Sequence, residues 1–244
     1  MAQDLNKEAS AISGMFNSIA ASYDRLNHTL SFGVDILWRR KLISKLKQNR
    51  VHRVLDVACG TGDLTMEIAR HGYEVTGMDI AEKMVDVAKR KDLERMAKAR
   101  KHGEGSERSS ADFVICSAEE IPFADATFDA VTISFGIRNF NNRQQCLSEI
   151  YRVTRQGGSL YILEFALPSN KIWKAIYLFY LKNILPMVGR AVSKDRSAYS
   201  YLSDSIQAFP RYEAFCDEIR QAGYFDVKYY KCSGGIALLY VAIK

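Results

Sequence analysis

Two apolar periods alternate along this chain. Short continuous apolar runs near 51–58, 73–79, 112–117, 128–135 and 158–165 read as buried strands. Between them, helical spacing of apolar residues predicts helices near 63–71, 81–99 and 143–155. Strand and helix in alternation, joined by short links, predict an α/β fold with a doubly wound, mostly parallel sheet. After Ala222-Gly223 come two more β-rich runs, Phe225 to Lys231 and Ala237 to Ile243, joined through Ser233-Gly234-Gly235. A tight Gly-Gly connection predicts a hairpin, and so an antiparallel final strand.

Two segments do not fit the alternation. Residues 1–45 have helical patterning and are expected to form a flap folded over the active-site end of the sheet. Residues 168–210 are too long for an ordinary loop and are expected to form a helical lid or substrate pocket. The expected layout is a single domain over 1–244, with a core at 46–167 and a last helix and hairpin at 211–244. The polar stretch Lys101-His-Gly-Glu-Gly-Ser-Glu-Arg-Ser-Ser110 reads as a surface loop.

Composition narrows the class without choosing a function. The chain has 244 residues, 48% hydrophobic and 25% charged, as expected of a globular protein with a sizeable core. Its net charge of +6 suits nucleic acid, an anionic membrane surface or neither. The 5 cysteines are odd in number and lack a C-x-x-C pair, which argues against disulfide stapling and structural zinc, and no metal site is expected. Cys59 and Cys116 read as small buried residues rather than nucleophiles. The amino terminus carries no apolar signal core, so a cytoplasmic location is expected.

The chemistry concentrates after the first strand, in Val54-Leu-Asp-Val-Ala-Cys-Gly-Thr-Gly-Asp63. Gly60 and Gly62 let the backbone turn sharply and approach a ligand. The second strand ends in Asp79, about where a nucleotide-binding βαβ unit places the acid that holds a ribose. A dinucleotide site would need a third small residue and room for a pyrophosphate. Here Asp63, Leu64 and Thr65 follow instead, and Asp63 sets negative charge where a phosphate would sit. A sulfonium cofactor has no such phosphate and carries positive charge, so a turn flanked by Asp56 and Asp63 suits it better. The ligand-free alternative, a plain strand-turn-helix corner, is disfavoured by the alignment of Asp79.

The turn resembles the first motif of S-adenosylmethionine-dependent methyltransferases, acid-x-Gly-x-Gly-x-Gly, with Ala58 in place of the first glycine. Four stretches together resemble the C-methyltransferases of menaquinone and ubiquinone biosynthesis over nearly the whole chain. They are Met15-Phe-x-x-Ile-Ala-x-x-Tyr-Asp24, Leu55 to Asp63, Ala130-Val-Thr-Ile-Ser-Phe-Gly-Ile-Arg-Asn139 and Ala198-Tyr-x-Tyr-Leu-x-x-Ser-Ile-x-x-Phe-Pro210. The resemblance implies a seven-stranded Rossmann-like methyltransferase sheet with S-adenosylmethionine as donor and S-adenosylhomocysteine as product. It maps Asp56, Gly60, Thr61, Gly62, Asp79, Ser117, Ala118 and Ser134 onto the cofactor site. Many methyltransferases have a carboxylate where Ser117 stands, and strand-end serines also commonly cap backbone groups.

Transfer to carbon needs an electron-rich ring, and loss of a phenolic proton supplies one. Arg138 and Asn139 follow the fourth strand, at the edge where open α/β sheets bind ligands. Arg138 is expected to stabilise a phenolate and Asn139 to orient the ring oxygen, against the alternative of a surface arginine. Tyr23 in the flap and Tyr201 in the lid are further candidates for hydrogen bonds to the ring, and both are equally compatible with core packing. The implied acceptor is a polyprenylated demethylmenaquinol, with a ubiquinol precursor, or both rings, as the alternative. A nucleic-acid methyltransferase is disfavoured because Ser134-Phe-Gly-Ile-Arg-Asn139 replaces the Asn/Asp-Pro-Pro-Tyr/Phe tetrapeptide of base-modifying enzymes. A noncatalytic binding protein would be expected to lose the glycine turn or the acid, and neither is lost.

The stretch Ile172 to Val188 is dense in apolar and aromatic residues but is interrupted by Lys174, Lys182, Asn183 and Pro186, and is too short and polar to span a bilayer. It fits a tunnel wall, an interfacial helix at the membrane, or a buried helix that packs on the sheet or in a homodimer.

Overall fold

The computed structural model describes residues 7–24, 31, 33–47, 51–101, 111–185, 187 and 197–244, with side chains undescribed at 22 and 197–199. The expected loop at 101–110 therefore lies, from 102 on, outside the described residues, as do parts of the flap and of the lid. Seven strands form one sheet: β1 (Arg53–Val57), β2 (Glu74–Asp79), β3 (Asp112–Ile115), β4 (Phe128–Ser134), β5 (Thr154–Phe165), β6 (Phe225–Cys232) and β7 (Ala237–Ile243). Their order is β3-β2-β1-β4-β5-β7-β6, and only β7 runs against its neighbours, pairing antiparallel with β5 and with β6. The helices are α1 (Ala9–Ile19), α2 (Val34–Leu46), α3 (Asp63–Arg70), α4 (Glu82–Lys101), α5 (Arg143–Val153), α6 (Lys171–Phe179), α7 (Ser197–Ala208) and α8 (Glu213–Gln221).

The continuous apolar strands are explained by a sheet covered on both faces. Successive residues of β5 supply opposite cores: Leu160 and Ile162 join one cluster, Tyr161 and Leu163 the other. The first cluster also takes Leu147 and Ile150 of α5 and Phe215 and Ile219 of α8. The second takes Ile68 of α3 and Trp38, Leu42 and Leu46 of α2. Here the structure differs from the expected flap. α1 lies over the carboxyl end of the strands, while α2 packs on a face through Leu42 and Leu46 and lines the cavity at the strand ends with its first turns, Val34 to Arg39.

The lid helix α6 starts where Asn170 Oδ1 accepts the backbone N–H groups of Ile172 and Trp173 at 3.0 Å each. It continues through a wider turn, Tyr180–Ile184, and buries Tyr177, Leu181 and Leu185 with Ile206 of α7.

β1 and β4 are neighbours, and β2 and β5 leave them in opposite directions, so the crevice above them is a topological switch point. The loops leaving β1 and β4 touch there. Ala58 holds φ +54°, a left-handed conformation that costs a residue with Cβ roughly 1–2 kcal/mol. Its Cβ fills the place where a Cβ on Gly136 would stand, 2.5 Å away. Gly136→Ala should therefore lower the unfolding free energy in urea by about 1–3 kcal/mol. Adding Ala58→Gly, which removes both the clash and the strain, should recover most of it. Additive losses in the double variant would contradict this contact.

Candidate active site

Two cavities open at the switch point and share the walls Phe16, Tyr23 and Phe135. The first is the smaller, about 90 Å³, and is roofed by α1 through Ala9, Ile12 and Phe16. Its floor includes Ala58, Gly60, Asp79, Ser117, Ala118, Ser134 and Asn139. The second, about 480 Å³, is walled by apolar side chains of the flap and lid, among them Trp38, Phe165, Trp173, Ile176 and Tyr177, with Arg138 and Tyr201 also in its lining.

Asp79 ends β2 in the first cavity. Its Oδ2 accepts the Gly60 N–H at 2.8 Å and its Oδ1 accepts the Ala81 N–H at 2.8 Å. Burial pushes this carboxyl up, while those backbone bonds pull against the shift. A carboxylate offers about four lone-pair sites, so two backbone bonds leave capacity for a diol. Ser134 lies in the same cavity, and its Oγ is buried with no hydrogen-bond partner. An orphaned buried hydroxyl in the same cavity as that carboxylate calls for a polar partner, which a bound ligand would supply. Ser117 Oγ accepts the Glu119 N–H at 3.1 Å, which shapes the loop after β3. Burial raises the Cys116 thiol to about 11 and pushes Cys59 up as well, so both stay protonated.

Three mapped residues do not reach the cavity. Asp56 is buried beneath the turn, with Thr65 Oγ1 donating to it at 2.6 Å and Thr132 Oγ1 at 2.7 Å. Gly62, at φ +79°, opens α3, and Thr61 Oγ1 donates to Asp24 of the flap. Asp63 pairs with Lys91 at 2.6 Å and with Arg39 at 3.3 Å. The expectation that Asp56 and Asp63 offer open negative charge to a sulfonium is thus corrected: one is enclosed among hydroxyls, the other is neutralised by cations.

In the second cavity Arg138 is buried, with Nη1 donating to Glu164 Oε1 at 3.0 Å and to the Phe135 carbonyl. The Arg138 N–H reaches Glu164 Oε2 at 3.2 Å, and the guanidinium lies 5.5 Å from the centre of the Phe165 ring. Its Nε is buried without a partner. The surface-arginine alternative is excluded by this burial. Tyr201 Oη donates to Asn139 Oδ1 at 3.1 Å, tying the lid to the loop after β4, and burial pushes its phenol up. Tyr23 stands in the shared wall.

Sequence reading passed over Glu164, which is fully buried at the end of β5. Its signal was present, a lone acid closing the apolar run Leu160-Tyr-Ile-Leu. Phe135 was also passed over. It holds φ +60° and stacks on Phe165 at 4.4 Å between centroids.

The model of the ubiE/COQ5 methyltransferase family matches residues 3–244. A ubiquinone/menaquinone biosynthesis C-methyltransferase of Geobacter sp. (strain M21) is 42% identical over 98% of this chain and 99% of its own length. A demethylmenaquinone methyltransferase of Porphyromonas gingivalis is 40% identical over 96% of this chain and 92% of its own. Among solved structures, a SAM-dependent methyltransferase of Thermotoga maritima aligns with TM-score 0.61 at 16% identity, over 95% of this chain and 99% of that one. The [4+2]-cyclase SpnF aligns with TM-score 0.59 at 17% identity, over 97% and 96%. Likeness at that level speaks to the fold alone, and a cyclase among the neighbours shows why.

The enclosure of Asp56 has a pH signature. Burial raises its carboxyl from 3.8 to about 6, only partly offset by the two threonine hydroxyls. The folded state therefore holds the proton more tightly than the unfolded chain. Asp56's contribution is fully present below about pH 4, declines up to about pH 6 and is flat above, a loss of at most about 3 kcal/mol. Urea titrations of wild type and Asp56→Asn should show the variant gaining relative stability across that window. A difference that does not vary with pH would contradict it.

Proposed function

The chain belongs to the ubiE/COQ5 methyltransferase family, and we propose that it transfers a methyl group from S-adenosylmethionine to a ring carbon of a polyprenylated demethylmenaquinol. The observation that carries this reading is the pair of adjoining cavities, one with polar groups at Asp79, Ser117 and Ser134 and one more strongly apolar beside Arg138, separated by three aromatic rings. S-adenosylmethionine supplies an electrophilic methyl on a positively charged sulfur. Asp79 accepts hydrogen bonds from the ribose hydroxyls, a charge-assisted use of its free lone pairs. Ser134 gives its unpaired hydroxyl to the same ligand, and Ser117 and Ala118 edge the adenine. Gly60 lets the backbone approach, and Thr61, Gly62 and Asp56 act from behind by holding the turn. Phe16, Tyr23 and Phe135 frame the passage and keep water out of it.

Arg138 faces the acceptor. A guanidinium is effectively always protonated, so it serves as an electrostatic partner for the phenolate rather than as a base. Asn139, held by Tyr201, orients the ring oxygen, and Tyr23 adds a hydroxyl at the passage. A cavity of about 480 Å³ lies within the roughly 300–1,000 Å³ typical of ligand sites, and its greasy lid walls suit an isoprenoid chain. The names of the relatives favour the naphthoquinol ring over a ubiquinol precursor.

The reading is tested with purified protein, S-adenosylmethionine and both demethylated quinols. Arg138→Lys, which keeps a cation opposite Glu164, should lower kcat by about 10²–10³-fold, the usual effect of removing one anion-stabilising donor. Its donor affinity should stay within about threefold. Full turnover would remove Arg138 from the mechanism, and equal methylation of the oxidised quinone would contradict phenolate chemistry.

Contact with a membrane surface belongs to the same reading. Among the described residues no helix is long and apolar enough to cross a bilayer. On α6, however, Ile172, Ile176 and Phe179 are 74%, 52% and 61% exposed at spacings that share one helix face. Lys171, Lys174 and Lys182 accompany them, and no acidic residue occurs between Phe165 and Lys194. Such a face suits the anionic interface where a prenylated acceptor resides. The protein should float with vesicles containing anionic phospholipid. Replacing Ile172 and Phe179 by Ser should abolish flotation, and failure of the unaltered protein to float would sink the contact.

A further inference from the structure

Tyr23 forms part of the wall between the two cavities, and its ring lies 3.8 Å from where a Cβ on Gly60 would stand. The residue after it fixes that position. Asp24 Oδ1 accepts from Thr61 Oγ1 in the glycine turn, and Asp24 Oδ2 accepts from Lys91 Nζ of α4 at 2.6 Å. Lys91 Nζ also reaches Asp63 Oδ1 at 2.6 Å. Asp63 Oδ2 in turn meets Arg39 of α2, which pairs with Asp35. One chain of charges therefore joins the flap, the glycine turn, α4 and α2, and Lys91 is the link between the flap and the turn's own helix.

Two features bear on the opening of this link. The cavity beneath the flap, about 90 Å³, is well below the roughly 300 Å³ at which ordinary small-molecule pockets begin. Room for a nucleoside donor is gained when α1 and Tyr23 lift, and lifting separates Asp24 from Lys91 and Thr61. The side chains of Lys91, Asp24 and Asp63 are 25%, 31% and 27% exposed. Water can reach and solvate the charges as they part, so opening is cheaper than breaking a fully buried pair.

We propose that Lys91 is a positioning residue of the transfer reaction: by latching Asp24 it holds Tyr23 at the passage between the cavities, and its release governs exchange of the donor. Methionine at 91 keeps the length and the apolar stem but leaves Asp24 without its cation, so the flap closes less often and less accurately. The chemistry would suffer more than the donor's equilibrium affinity, because the ribose and turn contacts of the donor do not involve Lys91. This inference rests on the two-cavity reading above.

The test compares wild type, Lys91→Met and Lys91→Arg. Dissociation of S-adenosylhomocysteine, followed by stopped-flow fluorescence, should be about tenfold faster in Lys91→Met and near wild type in Lys91→Arg. With both substrates saturating, kcat should fall about tenfold in Lys91→Met and recover in Lys91→Arg, while the melting temperature stays close to wild type. An unchanged dissociation rate in Lys91→Met, or a defect that arginine does not restore, overturns the latch. A wild-type protein that binds S-adenosylhomocysteine but methylates neither quinol would instead count against the two-cavity reading, with the dissociation rates still deciding the latch.

Discussion

The carboxylate of Asp56 is the constraint on which the rest of the site depends. It is 1% exposed and accepts hydrogen bonds from the hydroxyls of Thr132 on the neighbouring strand and Thr65 on the helix beyond the turn, with Arg39 acting on it only through space. Those two bonds clamp the chain on either side of residues 58–62. Between the clamps the backbone takes left-handed φ at Ala58, Gly60 and Gly62. The glycines adopt it freely, but Ala58 is strained there and persists only where its surroundings over-determine it. Ala58 then rests against Gly136, so the geometry set by Asp56 is passed to the loop after β4, which carries Phe135, Arg138 and Asn139.

Three acids crowd this part of the sequence, and the fold gives each a different task. Asp56 turns inward as a structural acceptor for hydroxyls, Asp63 turns outward to Lys91 and Arg39, and Asp79 alone faces the donor cavity. On the proposed reading, attraction for a positively charged donor comes from Asp79, with Glu119 also in the cavity wall. The acid at position 63 contributes by holding the flap over the site. It does so from the first turn of α3, where the helix dipole also favours negative charge.

The sheet was legible because each of its strands carries a local signal: β1 to β5 as apolar runs, β6 and β7 as a hairpin joined through glycines. Asp79 was legible for the same reason, since its distance from the turn is set within one βαβ unit. The partners of Arg138 and Asp24 were not. Glu164 and Lys91 lie 26 and 67 residues away from them along the chain, and they meet only because β4 pairs with β5 and because α4 packs beneath the flap. The place of α2 was only half legible for a related reason. Its apolar residues announce a buried face but not which layer buries it, and the sheet face under Trp38 exists only after β7 and β5 have paired.

The pairing of Arg138 with Glu164 bears on how an apolar cavity can handle a charged intermediate. A lone guanidinium buried at that depth would be costly and would hold water or a counter-ion in the cavity. With Glu164 behind it the pair is neutral at rest, so a neutral quinol meets greasy walls and no net charge. As negative charge develops on the ring oxygen, the guanidinium is already desolvated and oriented, and its attraction grows with that charge. On the proposed reading the interaction is weak toward the bound quinol and strong toward the phenolate-like state, which is the differential binding that accelerates a chemical step. A quinone has no phenolic proton to lose, so on that reading the pair would favour reaction of the reduced ring over the oxidised one.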